Sequence, residues 1–216
     1  MTKYRAAAFD MDGLMFKTED VYKKAADELL GRRGYPYTQE LYRAVMGRPP
    51  RFCFEQFIKA YNLPETWEEL AAESEEIFLE LLKDGFEAQP GLFELLDFLE
   101  KKRIDKCVAT SSGRRITTAI LERNGVGNRF RFILTSNDIT RGKPNPQVYL
   151  LAAERFGVAP GEMAVFEDSE AGIASAKGAG ADCFALRADH NRSLDLSAAN
   201  VVAETLVATE ILSAFE

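Results

Sequence analysis

Short apolar runs alternating with helical patterns constrain this 216-residue chain more than any other feature. The runs are Tyr4–Phe9, Lys106–Thr110, Phe130–Thr135, Met163–Glu167, Asp182–Leu186 and Asn200–Ala203. Near-continuous apolar character over so few residues fits strands buried on both faces. Between them, Gly91–Lys102, Arg115–Asn124, Pro146–Phe156, Ala171–Gly178 and Thr205–Phe215 read as helices. Strand alternating with helix predicts an α/β fold, a doubly wound parallel sheet with right-handed crossovers.

The stretch from about residue 18 to 86 breaks that rhythm and holds no strand pattern. It reads as four helices, Thr18–Arg33, Glu40–Val45, Arg51–Tyr61 and Trp67–Leu82, separated at Gly34-Tyr35-Pro36, Gly47-Arg48-Pro49-Pro50 and Leu63-Pro64. Phe54, Phe57, Ile58 and Tyr61 recur at helical spacing, as do Ile77, Phe78, Leu81 and Leu82. The expected organisation is an α/β catalytic core from residues 1–16 and 89–216, with an inserted helical-bundle cap over 17–88.

Composition bounds what such a chain can do. With 46% hydrophobic and 28% charged residues it reads as globular, and a net charge of −7 argues against nucleic-acid binding. Cys53, Cys107 and Cys183 are odd in number and far apart, so they read as buried or half-buried thiols in a reducing compartment. The N-terminus shows no signal-like apolar region and no window approaches a membrane-spanning length. A soluble cytoplasmic protein without nucleic-acid or membrane partners is expected, as a monomer or weak homodimer.

Four stretches carry chemistry. Phe9-Asp10-Met11-Asp12-Gly13 closes the first strand pattern, and residues i and i+2 of extended backbone project to one side, about 6–7 Å apart. Asp10 and Asp12 can therefore face one site at the carboxyl edge of the sheet, where open α/β folds bind ligands; the bland reading is a turn. Val108-Ala109-Thr110-Ser111-Ser112-Gly113 ends a strand in hydroxyls before a helix, either as a helix cap or as an anion cradle. In Gly142-Lys143-Pro144-Asn145-Pro146, Asn145 and Pro146 start a helix, and Pro144 biases Lys143 toward extended backbone. In Val165-Phe166-Glu167-Asp168-Ser169, two acids end a buried strand. They repel one another unless a cation such as Mg²⁺ lies between them, and Ser169 can cap the next helix.

In this order the four stretches resemble the haloacid-dehalogenase superfamily of phosphotransferases. The matching segments are FDMDGLMFKTE (9–19), VATSSG (108–113), GKPNPQVY (142–149) and VFEDSEAGIASAKGAG (165–180). They span essentially the whole chain, and the nearest pattern is that of β-phosphoglucomutase-like proteins and small phosphatases with a helical cap after the first strand. The resemblance implies that Asp10 is the nucleophile, forming an aspartyl-phosphate, and Asp12 the general acid and base. It implies a Mg²⁺ ion held by Asp10, the main-chain carbonyl of Asp12 and Asp168, with Glu167 nearby or through water. Thr110 and Ser111, by their hydroxyls, and Lys143, by charge, would bind phosphate.

An aspartate at position 12 sets the chain apart from the dehalogenase and phosphonoacetaldehyde branches, which generally lack one there. The expected activity is Mg²⁺-dependent hydrolysis of a small phosphomonoester, such as a phosphorylated sugar or another small phosphorylated metabolite. The alternatives are a phosphosugar mutase on the same site and a catalytically silent binding protein on the same fold. Relatives often carry an aspartate where Lys17 stands, and an acid where Gln147 stands; neither change touches the core chemistry. In the mutases a histidine follows the first motif, and the matching position is Tyr22, whose phenol has no imidazole-like titration near neutrality. Substrate contacts are expected on the cap at Arg48, Arg51 and Tyr22, with Phe16 also facing the nucleophile. His190, the only histidine, reads as a solvated loop residue.

Overall fold

The computed structural model describes residues 3–45 and 50–216. Among these residues the strands are β1 (Ala6–Phe9), β2 (Asp105–Ala109), β3 (Phe132–Leu134), β4 (Met163–Glu167), β5 (Asp182–Leu186) and β6 (Val201–Ala203). The α-helices are α1 (Glu19–Gly31), α2 (Gln39–Val45), α3 (Pro50–Tyr61), α4 (Trp67–Leu81), α5 (Leu92–Lys101), α6 (Arg114–Arg123), α7 (Gln147–Phe156), α8 (Glu170–Ala179) and α9 (Thr209–Ser213). The strands form one sheet in the order β3-β2-β1-β4-β5-β6, and every pairing is parallel. This is the doubly wound α/β architecture that the alternation predicts.

Sequence explains why β1 can lie at the centre. Alternate residues point to opposite faces, so Ala6 and Ala8 share a face with Met163, Val165, Cys183 and Ala185 and pack with the inner sides of α7 and α8. Small side chains let those helices come close. On the other face Phe9 stacks on Phe166 at 4.6 Å between ring centroids, and Phe166 on Phe184 at 5.5 Å. Each fully buried phenylalanine contributes about 1.5–3 kcal/mol by removing apolar surface from water. Cys107 and Cys183 are buried in this core as free thiols, and Cys53 is half-buried, its thiol donating to Val45 O.

The chain divides into two compact units, residues up to Lys17 with Glu87–Glu216, and Thr18–Phe86. Among the described residues the second holds only helices, and chiefly α1 against α4 and α3 against α4 hold it together. A capping box starts α4: the Thr66 hydroxyl accepts from Glu69 N, and the Glu69 carboxylate accepts from Thr66 N at 2.8 Å. Tyr22 packs on Phe78 at 4.3 Å, and Phe57 is buried against Tyr37. In the first unit, the segments where the chain leaves and returns run side by side. Phe16 bridges Ala88, Lys17 N donates to Glu87 O, and the Lys17 ammonium lies 2.6 Å from the Glu87 carboxylate.

The C-terminal helix is shorter than its apolar pattern predicts. Leu206 N and the Thr205 hydroxyl both donate to Pro90 O, which holds that segment off the helical path until α9 begins at Thr209. Among the described residues no helix is long and apolar enough to cross a membrane.

Candidate active site

Register brings the chemistry together. Phe9 pairs with Val108 on one side and Phe166 on the other, so the carboxyl ends of β1, β2 and β4 finish level. The ladder continues one residue further: Asp10 N donates to Phe166 O and Thr110 N to Leu134 O, both at 3.0 Å. The backbone of the first carboxylate and of the first hydroxyl is thus fixed by the sheet itself.

Lys143 enters this row from the loop before α7. Its ammonium lies 2.5 Å from Asp10 Oδ1 and 2.7 Å from Glu167 Oε1, and donates to Ala109 O at 2.9 Å. The loop is pinned from several sides. Gln147 Oε1 accepts from Thr140 N and Arg141 N, Asn145 Oδ1 caps Gln147 N, and the Ser175 hydroxyl donates to Asn145 O. Gln147, which stands where relatives often carry an acid, is part of this anchoring.

Glu167 is completely buried. Its Oε1 accepts from Lys143 and from the Tyr149 hydroxyl at 2.7 Å, while its Oε2 accepts from Asp168 N and the Ser169 hydroxyl. Ser169 Oγ also accepts from Gly172 N and so caps α8. Gly172 is required by close approach: a Cβ there would lie 1.8 Å from the Glu167 carboxyl carbon. Glu167 thus ties together Lys143, Tyr149 and the start of α8.

The hydroxyls after β2 do not cap α6, whose N-cap is Gly113. The Ser112 hydroxyl instead donates to Asp12 Oδ2 at 2.6 Å, with the Thr110 hydroxyl 3.4 Å from the same oxygen. Thr110 is buried, and its oxygen accepts from Ser112 N at 3.0 Å. Ser111, the expected phosphate ligand, is exposed; Ser112 is the serine on the carboxylate. Only the turn geometry, not the run of hydroxyl residues, distinguishes the two.

Burial pushes the Asp10 carboxyl well above the usual aspartate range, Lys143 pulls it back down, and Glu167, Asp168 and Asp12 push it up again. The Lys143 ammonium is held charged: burial opposes its charge, and Asp10 and Glu167 outweigh that. The carboxylates here outnumber this ammonium. Buried Asp10, Glu167 and Asp168 also offer oxygens within 4.8 Å of one another, a hard donor set that suits a divalent cation.

His190 is not a solvated loop residue. Its Nε2 lies 2.6 Å from Asp168 Oδ2, and its side chain is only 20% exposed. Phe16 is fully buried and offers no substrate-facing surface. Of the residues expected to meet substrate, Arg51 on α3 is exposed and ion-paired with Glu55 at 2.8 Å, while Tyr22 packs within the helical unit. Arg48 lies outside the described residues.

A family model described as haloacid dehalogenase-like hydrolase matches residues 7–186. The chain is 36% identical over 179 residues to the phosphorylated carbohydrates phosphatase of Thermotoga maritima, a match covering 81% of each chain. It is 32% identical over 187 residues to the fructose-1-phosphate phosphatase YqaB of Escherichia coli, covering 86% of this chain and 97% of that one. A solved structure from Thermotoga maritima, named a candidate β-phosphoglucomutase, superposes with a TM-score of 0.76 at 31% identity, over 92% of this chain and 94% of that one. Sequence, fold and site geometry agree: the chain belongs to the haloacid dehalogenase-like hydrolases, as an enzyme of their phosphatase kind.

Proposed function

We propose that this enzyme is a Mg²⁺-dependent phosphatase of small phosphomonoesters, with phosphorylated sugars as the substrate class, working through an aspartyl-phosphate on Asp10. The observation that carries this reading is the buried Asp10–Lys143 contact of 2.5 Å beside Glu167 and Asp168. It combines a nucleophile, a fixed positive charge and a cation site at one level of the sheet. The names of the phosphatases from Thermotoga maritima and Escherichia coli support the substrate class.

In the first step Asp10 attacks phosphorus, the bond from phosphorus to the leaving oxygen breaks, and Asp12 gives that oxygen a proton. In the second, Asp12 takes a proton from water as the water attacks phosphorus and frees the Asp10 carboxylate. The Ser112 hydroxyl, at 2.6 Å, orients Asp12 for both transfers. Lys143 and Thr110 hold the phosphoryl oxygens, and phosphoryl transfer depends mainly on such positioning and charge neutralisation. Asp10, the Asp12 carbonyl and Asp168 are the ligands assigned to Mg²⁺, with Glu167 beside them; when bound, the ion offsets charge gathering on the phosphoryl group. Substrate choice is assigned to the helical unit, with Arg51 and Tyr22 as its first positions to vary.

Phosphate release from a panel of phosphorylated sugars, with Mg²⁺ and with excess chelator, tests the proposal. Metal-dependent turnover of several sugar phosphates is expected, and turnover unchanged by chelator overturns the metal role. The name of the Thermotoga maritima structure favours a second reading, a phosphosugar mutase. Supplying β-glucose 1-phosphate with a trace of the 1,6-bisphosphate separates the two. Inorganic phosphate should exceed glucose 6-phosphate, and the reverse would establish the mutase.

A further inference from the structure

The β5–β6 connection reaches back to the end of β4, and it does so through two neighbouring side chains. Asn191 is completely buried. Its Nδ2 donates to Asp168 O at 2.8 Å and Leu186 O at 2.9 Å, and its Oδ1 accepts from Ala188 N at 2.9 Å. Arg187 adds donors to Asn191 O and Leu194 O. These bonds leave little freedom to the residue between Ala188 and Arg192 that matters most, His190.

His190 Nε2 lies 2.6 Å from Asp168 Oδ2. With the imidazole proton on Nε2, His190 donates to that carboxylate oxygen. The pair fills the space beside Gly13 in the first motif. A Cβ on Gly13 would lie 2.1 Å from Asp168 Oδ2 and 2.8 Å from His190 Nε2, and the glycine has φ +79°. The backbone of the Asp10–Asp12 loop, the Asp168 carboxylate and the imidazole are therefore packed as one piece.

We propose that His190 is a positioning residue for the cation site: it fixes one oxygen of Asp168 so that the other is presented to the metal at no cost in side-chain ordering. Carboxylates that bind metals gain affinity when a neighbour hydrogen-bonds and orients them. Here the orienting group comes from a loop 22 residues further along the chain. The inference rests on the metal reading of Asp10 and Asp168 above, and adds to it a residue outside the four motifs.

Calorimetric titration of the resting full-length protein with MgCl₂, without substrate, tests it. His190→Ala should weaken Mg²⁺ binding by about 10–100-fold, the range found when a partner of a metal ligand is removed. His190→Gln, whose amide can still donate to Asp168, should recover much of the loss. Melting temperatures of the metal-free proteins, measured alongside, should stay close to wild type. Wild-type affinity in His190→Ala, or a deficit in His190→Gln as large as in His190→Ala, overturns the proposal. An absence of Mg²⁺ binding by wild type itself overturns the metal reading and this inference with it, so the two failures are distinguishable.

Discussion

Two lysines at opposite ends of β2 are buried to the same degree and do different work. Lys106, near its start, has a side chain 5% exposed and lies 3.0 Å from Glu100. Lys143 has a side chain 6% exposed and donates to Ala109 O at the strand's other end. The difference is in their company. Glu100 is 44% exposed and shared with Arg129, which also binds Asp97, so two cations meet two acids at the rim of solvent. The partners of Lys143, Asp10 and Glu167, are almost fully buried, and Asp12 and Asp168 add further negative charge. A buried ion pair is therefore not by itself a sign of function. Buried charge that its protein neighbours leave unbalanced is the better sign, because it needs a ligand to complete it.

The largest effect should come from the nucleophile. Asp10→Asn keeps size and polarity but removes the attacking oxygen anion, so turnover should fall at least about 10³-fold while the melting temperature stays near wild type. Hydrolysis at the wild-type rate by a folded, contaminant-free variant would remove Asp10 from the mechanism. The two lysines then separate. Lys143→Met leaves buried carboxylates without their cation, and in the metal-free protein this should cost about 3–5 kcal/mol in denaturant unfolding, together with loss of turnover. Lys106→Met leaves Glu100 solvated and still paired with Arg129, so about 0–1 kcal/mol and unchanged turnover are expected. Equal effects of the two substitutions on turnover would end the contrast.

Asp168→Ala should act mainly through the cation. The Mg²⁺ concentration giving half-maximal turnover should rise by about 10-fold or more if a direct ligand is lost, and an unchanged metal titration counts against its assignment. The smallest effect concerns Glu100. Arg129, and then Lys106, hold its carboxyl down at about 2 against burial. A carboxyl depressed in the folded state adds stability above its ordinary value, and that stability is lost as pH falls through the folded one. The advantage of wild type over Glu100→Gln in denaturant should therefore be constant near neutrality and shrink between about pH 4.5 and pH 2. An advantage that persists below that window assigns Glu100 a role in packing rather than charge.

The sheet was legible because strands buried on both faces carry uninterrupted apolar runs, and β4 and β5 match their predicted limits. Asp10, Asp12, Glu167 and Asp168 stood out because acids end those runs, and Lys143 because Pro144 holds it extended in the loop ahead of α7. What sequence could not supply was the direction of side chains in the connecting loops. Ser111 and Ser112 are chemically identical, and only the turn after β2 selects the one that meets Asp12, 100 residues away in the chain. His190 sits in a polar loop whose return to Asp168 depends on Asn191 bonding two main-chain oxygens. Phe16, expected to face the nucleophile, is instead completely buried where it bridges Ala88.

On the proposed mechanism, phosphate passes through Asp10. An aryl phosphate needs no proton on its leaving group, so an Asp12→Asn variant given one with Mg²⁺ can still load Asp10 but lacks the base that releases the phosphate. Acid quenching followed by peptide mass spectrometry reads the result. A phosphorylated peptide containing residues 9–13, modified at Asp10 and absent when Asp10→Asn is added to the variant, is the outcome predicted. Full turnover with no phosphorylated intermediate, or a phosphoryl group on any other residue, would exclude Asp10 as the nucleophile.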